Sequence, residues 1–372
     1  MLKVLHVISG DLWAGAEAQA YTLLSTLVRM PGLEVGAALM NEGELARRLR
    51  EVGVEVCVLD ERKLGSVKIF FRLRGLLHDW RPHVVHTHRQ KENILGALAN
   101  RTTRNVPCVR TVHGGAEHAR EPGLRGMRRA ALDWLDRSCG GSLQQRIILV
   151  SRELRTRLGQ AFPAGKIVVI ENGVDAAALT AQASIAEFRS QEPRCTHVGL
   201  VGRLVGVKRV DLFLETAALL QREWSERSWR FHVIGDGPLA GSLHESARAS
   251  GIADIVTFHG HRADIATCLN SLDALVICSD HEGMPMTALE AAALEVPTVA
   301  HAVGGLAEVV APEFLVRQHS AAGYRDGVLR ALQSDGRAIA RRKGRQVLAE
   351  YSAEVNAERV RSVYEQLVAE SR

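Results

Sequence analysis

Six cysteines are spread over 372 residues, at positions 57, 108, 139, 195, 268 and 278, with no Cys-x-x-Cys pair and no paired spacing. Neither a zinc site nor a disulfide framework is signalled, and a reduced compartment is expected. No uncharged apolar run approaches the roughly 20 residues that span a bilayer. The apolar opening, MLKVLHVISG, is too short for a secretion signal with its cleavage site and reads as a strand. A cytoplasmic protein is expected. Also missing are a Gly-x-Gly-x-x-Gly turn, a Gly-Lys-Ser/Thr phosphate loop and an Asp-x-Asp pair. Their absence removes the signatures of dinucleotide binding, Walker-type nucleotide binding and magnesium held by clustered carboxylates, so neither a metal nor an organic cofactor is expected. There is no low-complexity segment or short repeat, and 46% hydrophobic with 24% charged residues excludes a disordered chain, a collagen or a coiled-coil rod.

What is present is enough chain for two domains of roughly 150 residues each. Short β-branched runs alternate with amphipathic stretches through the first half. Strands are predicted at Val4 to Ile8, Glu34 to Met40, Val54 to Leu59, His83 to His86, Cys108 to Val112, Ile147 to Val150 and Ile167 to Ile170. Helices are predicted between them, among others Ala16 to Val28, Glu44 to Glu51, Lys68 to Trp80 and Ile94 to Asn100. The pattern restarts after Val174, with strands at His197 to Val201, Trp229 to Ile234, Ile255 to Phe258, Ala274 to Cys278 and Thr298 to Ala300, and helices opening near Lys208, Pro238, Asp264 and Pro285. Strand–helix alternation repeated in this way means an α/β protein of two doubly wound parallel-sheet, Rossmann-like domains. We place them at residues 1–172 and 173–352, with Glu171-Asn172-Gly173-Val174-Asp175 as the boundary and a final helix at 353–372 that can pack back on the N-terminal domain. Two such sheets bind ligands at the carboxyl ends of their strands, so a cleft between them is the expected site. Charge is divided unevenly: 26 basic against 18 acidic residues through Asp175, a net +8, and 21 against 24 after it, a net −3. The first half is therefore expected to face something anionic.

Four constellations fall at strand ends. Ser279 to Glu290 follows a strand and carries Pro285 at a helix start, so Glu282 lies in a loop and Glu290 about a turn and a half into the helix. Two carboxylates flanking a helix N-terminus accept hydrogen bonds from polyol hydroxyls, as a sugar or ribose would donate them, while the helix end suits an anion. Arg203 ends another strand in Val201-Gly202-Arg203-Leu204, and Lys208 opens the next helix, so that two cations can converge on a diphosphate. The first strand-to-helix turn, Ser9 to Glu17, has glycines at 10 and 15, which permit close backbone approach. His113 follows a strand, as do His86 and His88, of which one is expected to face the cleft. The Arg120 to Arg129 stretch, ahead of Leu132, Trp134 and Leu135, suits an anionic membrane surface as well as a solvated helix face.

Together, Gly15-Ala16-Glu17, Val84-Val85-His86-Thr87-His88, Thr111-Val112-His113-Gly114, Glu171 to Asp175, Gly202-Arg203 with Lys208, Gly235-Asp236-Gly237-Pro238, and the Glu-x7-Glu pair Glu282 and Glu290 resemble the group 1, family-four retaining glycosyltransferases of GT-B architecture, from the first strand to about Val310. The resemblance implies an acceptor-binding N-terminal domain and a donor-binding C-terminal domain. It implies that Arg203 and Lys208 bind the donor diphosphate and Glu290 the ribose. Glu282 and the backbone N–H groups of Gly283, Met284 and Met286 would hold sugar hydroxyls and phosphate. His113 would touch the sugar, and the Gly15 loop would approach diphosphate and acceptor. Transfer would proceed with retention, by front-face attack through an oxocarbenium-like ion pair, the leaving phosphate taking the acceptor proton. The chain departs from the family in reading Ala14-Gly15 for two glycines and Met284 for a frequent phenylalanine.

The expected function is thus a metal-independent, retaining glycosyltransferase using a nucleotide-diphosphate sugar, UDP-sugar favoured over GDP-sugar. The acceptor would be a glycan or lipid-linked hydroxyl compound in surface polysaccharide or lipopolysaccharide synthesis. The basic N-terminal half would rest on an anionic inner membrane face, and no nucleic acid is expected as a partner. The alternatives are a sugar-nucleotide epimerase of the same architecture and a non-catalytic nucleotide-sugar binder.

Overall fold

The computed structural model describes the chain except residues 12, 115–123, 184, 185 and 372, and except the side chains at 124, 125, 128 and 129. It divides into two units, Met1–Gly173 with Ala353–Arg372, and Val174–Ser352.

The first unit holds strands β1 (Leu2–Ile8), β2 (Leu33–Leu39), β3 (Glu55–Val58), β4 (Val84–His88), β5 (Cys108–Val112), β6 (Arg146–Leu149) and β7 (Ile167–Val169), all parallel and ordered β3-β2-β1-β4-β5-β6-β7. Both faces are covered, as a parallel sheet requires. Along β1 the side chains alternate. Val4 and Ile8 pack with Leu24 and Leu27 of helix Gly15–Leu27 and with Val360 and Leu367 of helix Ala353–Glu370. Leu5 and Val7 pack with Leu73 and Leu77 of helix Ser66–Trp80 and with Ile94 and Ala97 of helix Gln90–Arg101. The C-terminal helix is thus part of this unit's core. Asn356 accepts from Gln19 Nε2 at 3.1 Å and donates to Glu171 O at 2.6 Å, so the end of the unit's first passage of chain is tied to both helices.

The second unit holds β8 (Thr196–Val201), β9 (Trp229–Ile234), β10 (Val256–Gly260), β11 (Ala274–Ile277), β12 (Thr298–His301) and β13 (Leu315–Val316), again all parallel, in the order β10-β9-β8-β11-β12-β13. Its helices begin slightly later than the sequence signals. Lys208 closes a 3₁₀ turn, Gly206–Lys208, and the α-helix starts at Val210, because Arg209 is left-handed (φ 47°). Pro285 is the N-cap of helix Met286–Ala293, so Glu290 is its fifth residue, little more than one turn in.

In each sheet the chain order reverses at one point, between β1 and β4 and between β8 and β11. Crevices at the carboxyl ends of such neighbours are where open parallel sheets bind ligands.

Candidate functional site

At the carboxyl end of β8 the backbone is held by a close glycine contact. A Cβ on Gly235, at φ 137°, would lie 1.9 Å from Gly202 O, and one on Gly237 would lie 2.5 Å from Leu204 O. Gly235-Asp236-Gly237-Pro238 therefore lies backbone against backbone on Gly202 to Leu204, with Leu204 N donating to Asp236 O at 2.9 Å. Arg203 leaves this clasp exposed to solvent.

Lys208 points back toward the loop that follows β11. Its Nζ donates to Glu282 Oε1 at 2.7 Å, and Ser279 Oγ donates to the same oxygen at 2.6 Å. Glu282 is almost buried, at 9% side-chain exposure. Among the described residues its Oε2 has no donor. A shielded carboxylate with one oxygen committed and the other open is suited to accepting from a ligand hydroxyl.

The loop is shaped by the turn after β12. Gly304 is left-handed (φ 60°) and a Cβ there would come within 2.3 Å of Glu282 O; one on Gly305 would meet Met284 Cε at 2.6 Å. Gly305 N donates to Gly283 O at 2.6 Å. Met284 and Met286 are buried, and no side chain caps helix Met286–Ala293, so its first N–H groups are not taken by a cap. Glu290 is half-buried with no donor among the described residues, and burial alone raises its carboxyl to about 7. A carboxyl in that state accepts a hydroxyl donor readily, because the ligand replaces the lost water.

A second cluster holds the two loops together. Asp280 N donates to Val207 O at 2.9 Å, and Asp280 Oδ1 accepts from Arg209 Nη1 at 3.3 Å and lies 3.1 Å from His319 Nε2. His319 Nδ1 is in turn 3.0 Å from Tyr324 Oη. Arg209, Asp280, His319 and Tyr324, like Gly304 and Gly305, were not singled out by the sequence. A sequence shows pairs only when they are near in the chain, and these join segments up to about a hundred residues apart.

In the first unit, Gly15 opens helix Gly15–Leu27 with extended Ala14 as its uncapped N-cap. A Cβ on Gly15 would meet nothing within 4 Å, so the position is open. The buried Glu17 holds Arg89 Nη2 at 2.8 Å, and burial lifts its carboxyl to about 7 against the pull of that arginine. Arg89 itself is left-handed, at φ 48°, where β4 meets the next helix. Held strain in a non-glycine residue at a strand end marks a place worth a functional hypothesis. His113 follows β5 and places Nε2 3.0 Å from His88 Nδ1. The expectation that only one of His86 and His88 faces a ligand crevice is corrected. Residues two apart share a strand face, and both rings are buried, stacked with centroids 4.5 Å apart. The arginine stretch 120–129 lies largely outside the described residues.

The structure thus brings Lys208, Glu282, Gly283, Met284, Met286 and Glu290 around one switch point, with Arg203 at its strand end, and sets Gly15 and His113 at the strand ends of the other unit. The chain also resembles known proteins along most of its length. A family profile described as Glycosyltransferase Family 4 matches residues 13–178, and one described as Glycosyl transferases group 1 matches residues 195–334. A glycogen synthase of Mycobacterium tuberculosis is 30% identical over 261 residues, covering 66% of this chain and 59% of that protein. This chain therefore spans less than two thirds of that relative's length. An Escherichia coli UDP-Gal:alpha-D-GlcNAc-diphosphoundecaprenol alpha-1,3-galactosyltransferase is 28% identical over 258 residues, 68% of this chain and 66% of that one. Among solved structures, Anabaena HepE in complex with UDP-glucose aligns with a TM-score of 0.84 at 18% identity, over 98% of this chain and 100% of that one, a likeness of fold. The two glycosyltransferase profiles fall on successive parts of the chain and together match most of it, the fold is GT-B, and the chain belongs to the group 1 glycosyltransferases.

Proposed function

We propose that the protein is a retaining, metal-independent glycosyltransferase that moves a sugar from a nucleotide-diphosphate sugar, UDP-sugar in preference to GDP-sugar, to a hydroxyl acceptor. The observation that carries this reading is the Lys208–Glu282 pair, 2.7 Å apart between the β8 turn and the β11 loop, beside an uncapped helix end and the half-buried Glu290. Lys208 and Arg203 supply the positive charge that a departing diphosphate needs in place of a metal. Glu290 accepts from ribose hydroxyls. Glu282 accepts from a sugar hydroxyl through Oε2, and the N–H groups of Gly283, Met284 and Met286 meet sugar and phosphate. His113 contacts the sugar, and the Gly15 turn approaches diphosphate and acceptor. The bond from the anomeric carbon to the leaving phosphate oxygen breaks, the acceptor oxygen bonds to that carbon on the same face, and its proton passes to the leaving phosphate. The UDP-glucose complex of HepE and the UDP-Gal donor named for the E. coli relative support a UDP-sugar.

The test is donor binding and turnover with EDTA present. UDP is expected to raise the melting temperature more than GDP or ADP, and an Arg203→Ala, Lys208→Ala double variant should lose that shift and about 100-fold or more of transfer. Parental transfer by the double variant would sink the reading. Donor conversion without any acceptor product would show an epimerase, and binding without turnover a non-catalytic binder.

The acceptor is a glycan or lipid-linked compound of surface polysaccharide or lipopolysaccharide synthesis, met at the cytoplasmic membrane face. Phe71 and Val67 stand exposed on helix Ser66–Trp80 beside Lys68 and Arg72, and Trp134 is exposed on helix Leu124–Ser142. No described helix is long and apolar enough to cross a membrane. Flotation with anionic vesicles at low salt should recover the protein, and neutral vesicles should not; no flotation in either removes the membrane from the proposal.

A further inference from the structure

Beneath the carboxyl ends of β1, β4 and β5 lies a run of polar rings in an otherwise apolar core. His6, on the face of β1 that carries Val4 and Ile8, pairs in register with His86 of β4. From His113 the contacts follow one another without a break. His113 Nε2 is 3.0 Å from His88 Nδ1, His88 Nε2 is 3.1 Å from His6 Nδ1, and His6 Nε2 is 3.4 Å from Tyr364 Oη. Tyr364 Oη is then 2.5 Å from His86 Nδ1, and His86 Nε2 is 2.7 Å from Thr111 Oγ1. His6, His86, His88 and Tyr364 are buried. Tyr364 reaches the chain from helix Ala353–Glu370.

Three imidazoles with nitrogens within 4.8 Å of one another would ordinarily suggest a metal centre. Two observations argue otherwise. All six ring nitrogens of His6, His86 and His88 already have partners in the chain. Among the described residues no carboxylate acts on any of the three, so a divalent charge would be buried there without compensation. Burial holds all four histidines neutral, His6 and His113 down to about 3, and the positive charge of Arg89, and of Arg110 on His113, works in the same direction.

A neutral imidazole has one donor and one acceptor nitrogen. The chain can therefore be satisfied in two ways. In one, each group from Thr111 donates toward His113, and His113 Nδ1 carries a proton outward. In the other, every bond is reversed and Nδ1 is an acceptor. The Nδ1 of His113 is buried, has no partner among the described residues, and is the terminus of the chain.

We propose that His6, His86, His88 and Tyr364 are positioning residues for His113: they hold its ring by Nε2, leave Nδ1 for a substrate hydroxyl, and let that nitrogen either donate or accept by reversing one connected chain of hydrogen bonds. The inference rests on the reading that His113 touches the sugar. It gives the C-terminal helix a part in the site through Tyr364, and it names the ligand group that Nδ1 meets as a hydroxyl.

The experiment is a double-mutant cycle with a spectroscopic readout. Tyr364→Phe removes the hydroxyl that joins His6 to His86 and keeps the ring. It should lower kcat/KM for transfer about tenfold, comparable to losing the outer hydrogen-bond partner of a metal-bound histidine, and should change the ¹⁵N shifts of the His113 ring from a tautomer mixture to one form. In a His113→Ala background the same change should have no further effect on transfer. Equal losses in both backgrounds, or unchanged His113 ring shifts, overturn the proposal and leave Tyr364 a packing residue. If His113→Ala itself transfers at the parental rate, the sugar contact fails, while the ring shifts still report on the chain. Should Tyr364→Phe not fold, Thr111→Val removes the last partner of His86 Nε2 and must give the same shift of tautomer. Zinc added to the parental protein should leave the ring signals in place; their displacement would identify a metal site instead.

Discussion

Glu290 shows at the scale of one side chain how the unliganded site is set up for a donor. Its carboxyl is raised to about 7 by burial, so the folded protein holds a proton there at pH values where the unfolded chain has released it. The stability this gives is present below the unfolded value near 4.5 and is lost as pH rises through about 7. Glu290→Gln removes that loss. Without ligand, the second unit of the variant should therefore be more stable than the parent at pH 8, by about 1–2 kcal/mol after discounting for partial exposure, and equal to it near pH 4.5. Nucleotide affinity should move the other way, because an amide offers one accepting oxygen where a carboxylate offers two. Melting at the two pH values with and without UDP checks both signs, and a variant less stable than the parent at pH 8 would show that Glu290 is paired rather than merely desolvated. Glu282, Glu290, Arg203 and Lys208 stand out in the sequence as candidates because each lies in the turn or helix that follows a recognisable strand. That Lys208 and Glu282 touch was not legible, since it depends on β8 and β11 being sheet neighbours.

The same contrast appears in whole elements. Strand runs such as Ile147 to Val150 and Ala274 to Cys278 are visible because a strand buried on both faces favours an unbroken apolar, β-branched stretch. Helices Ala321–Ala331 and Gly336–Tyr351 carry a weak sequence signal: arginine-rich surface positions dilute their apolar stripe, and their packing against other helices is decided by tertiary context. The turn after β12 carries no motif either, yet it shapes the Glu282 loop. Two glycine substitutions separate shape from space. Gly304→Ala forces a Cβ into Glu282 O from a left-handed residue, so it should cost about 1–3 kcal/mol and displace the Glu282 carboxylate, lowering donor affinity at least tenfold. Gly15→Ala fills open space at the first position of a helix and should raise unliganded stability by up to about 0.5–1 kcal/mol. A loss of transfer in that variant, with folding intact, would then report a ligand that needs the missing side chain. If Gly304→Ala binds UDP as the parent does, the loop is held by something other than the glycine turn.

At the scale of the whole chain, the last helix belongs to a unit whose other residues ended about 180 positions earlier. Helix Ala353–Glu370 buries Val360, Val363, Tyr364 and Leu367 against the first sheet. At about 1.5–3 kcal/mol for each such side chain, their removal costs roughly 6–12 kcal/mol, which is the size of a domain's entire net stability. Ending the chain at Ser352 should therefore abolish the melting transition of the first unit, although not one of its first 173 residues is changed. The second unit, Val174–Ser352, has its own sheet and its own helices, so its transition should survive. Because Lys208, Glu282 and Glu290 all lie within it, UDP at about 100 times its dissociation constant should still raise the stability of that transition by roughly 2.7 kcal/mol. Calorimetry of the full and shortened chains, each with and without UDP, makes the comparison. Survival of both transitions would show that the C-terminal helix is dispensable to the first core, and with it the Tyr364 link to His113. Loss of the UDP response in the shortened chain would show instead that Lys208, Glu282 and Glu290 do not bind UDP without the first unit's residues, those of the Gly15 turn among them.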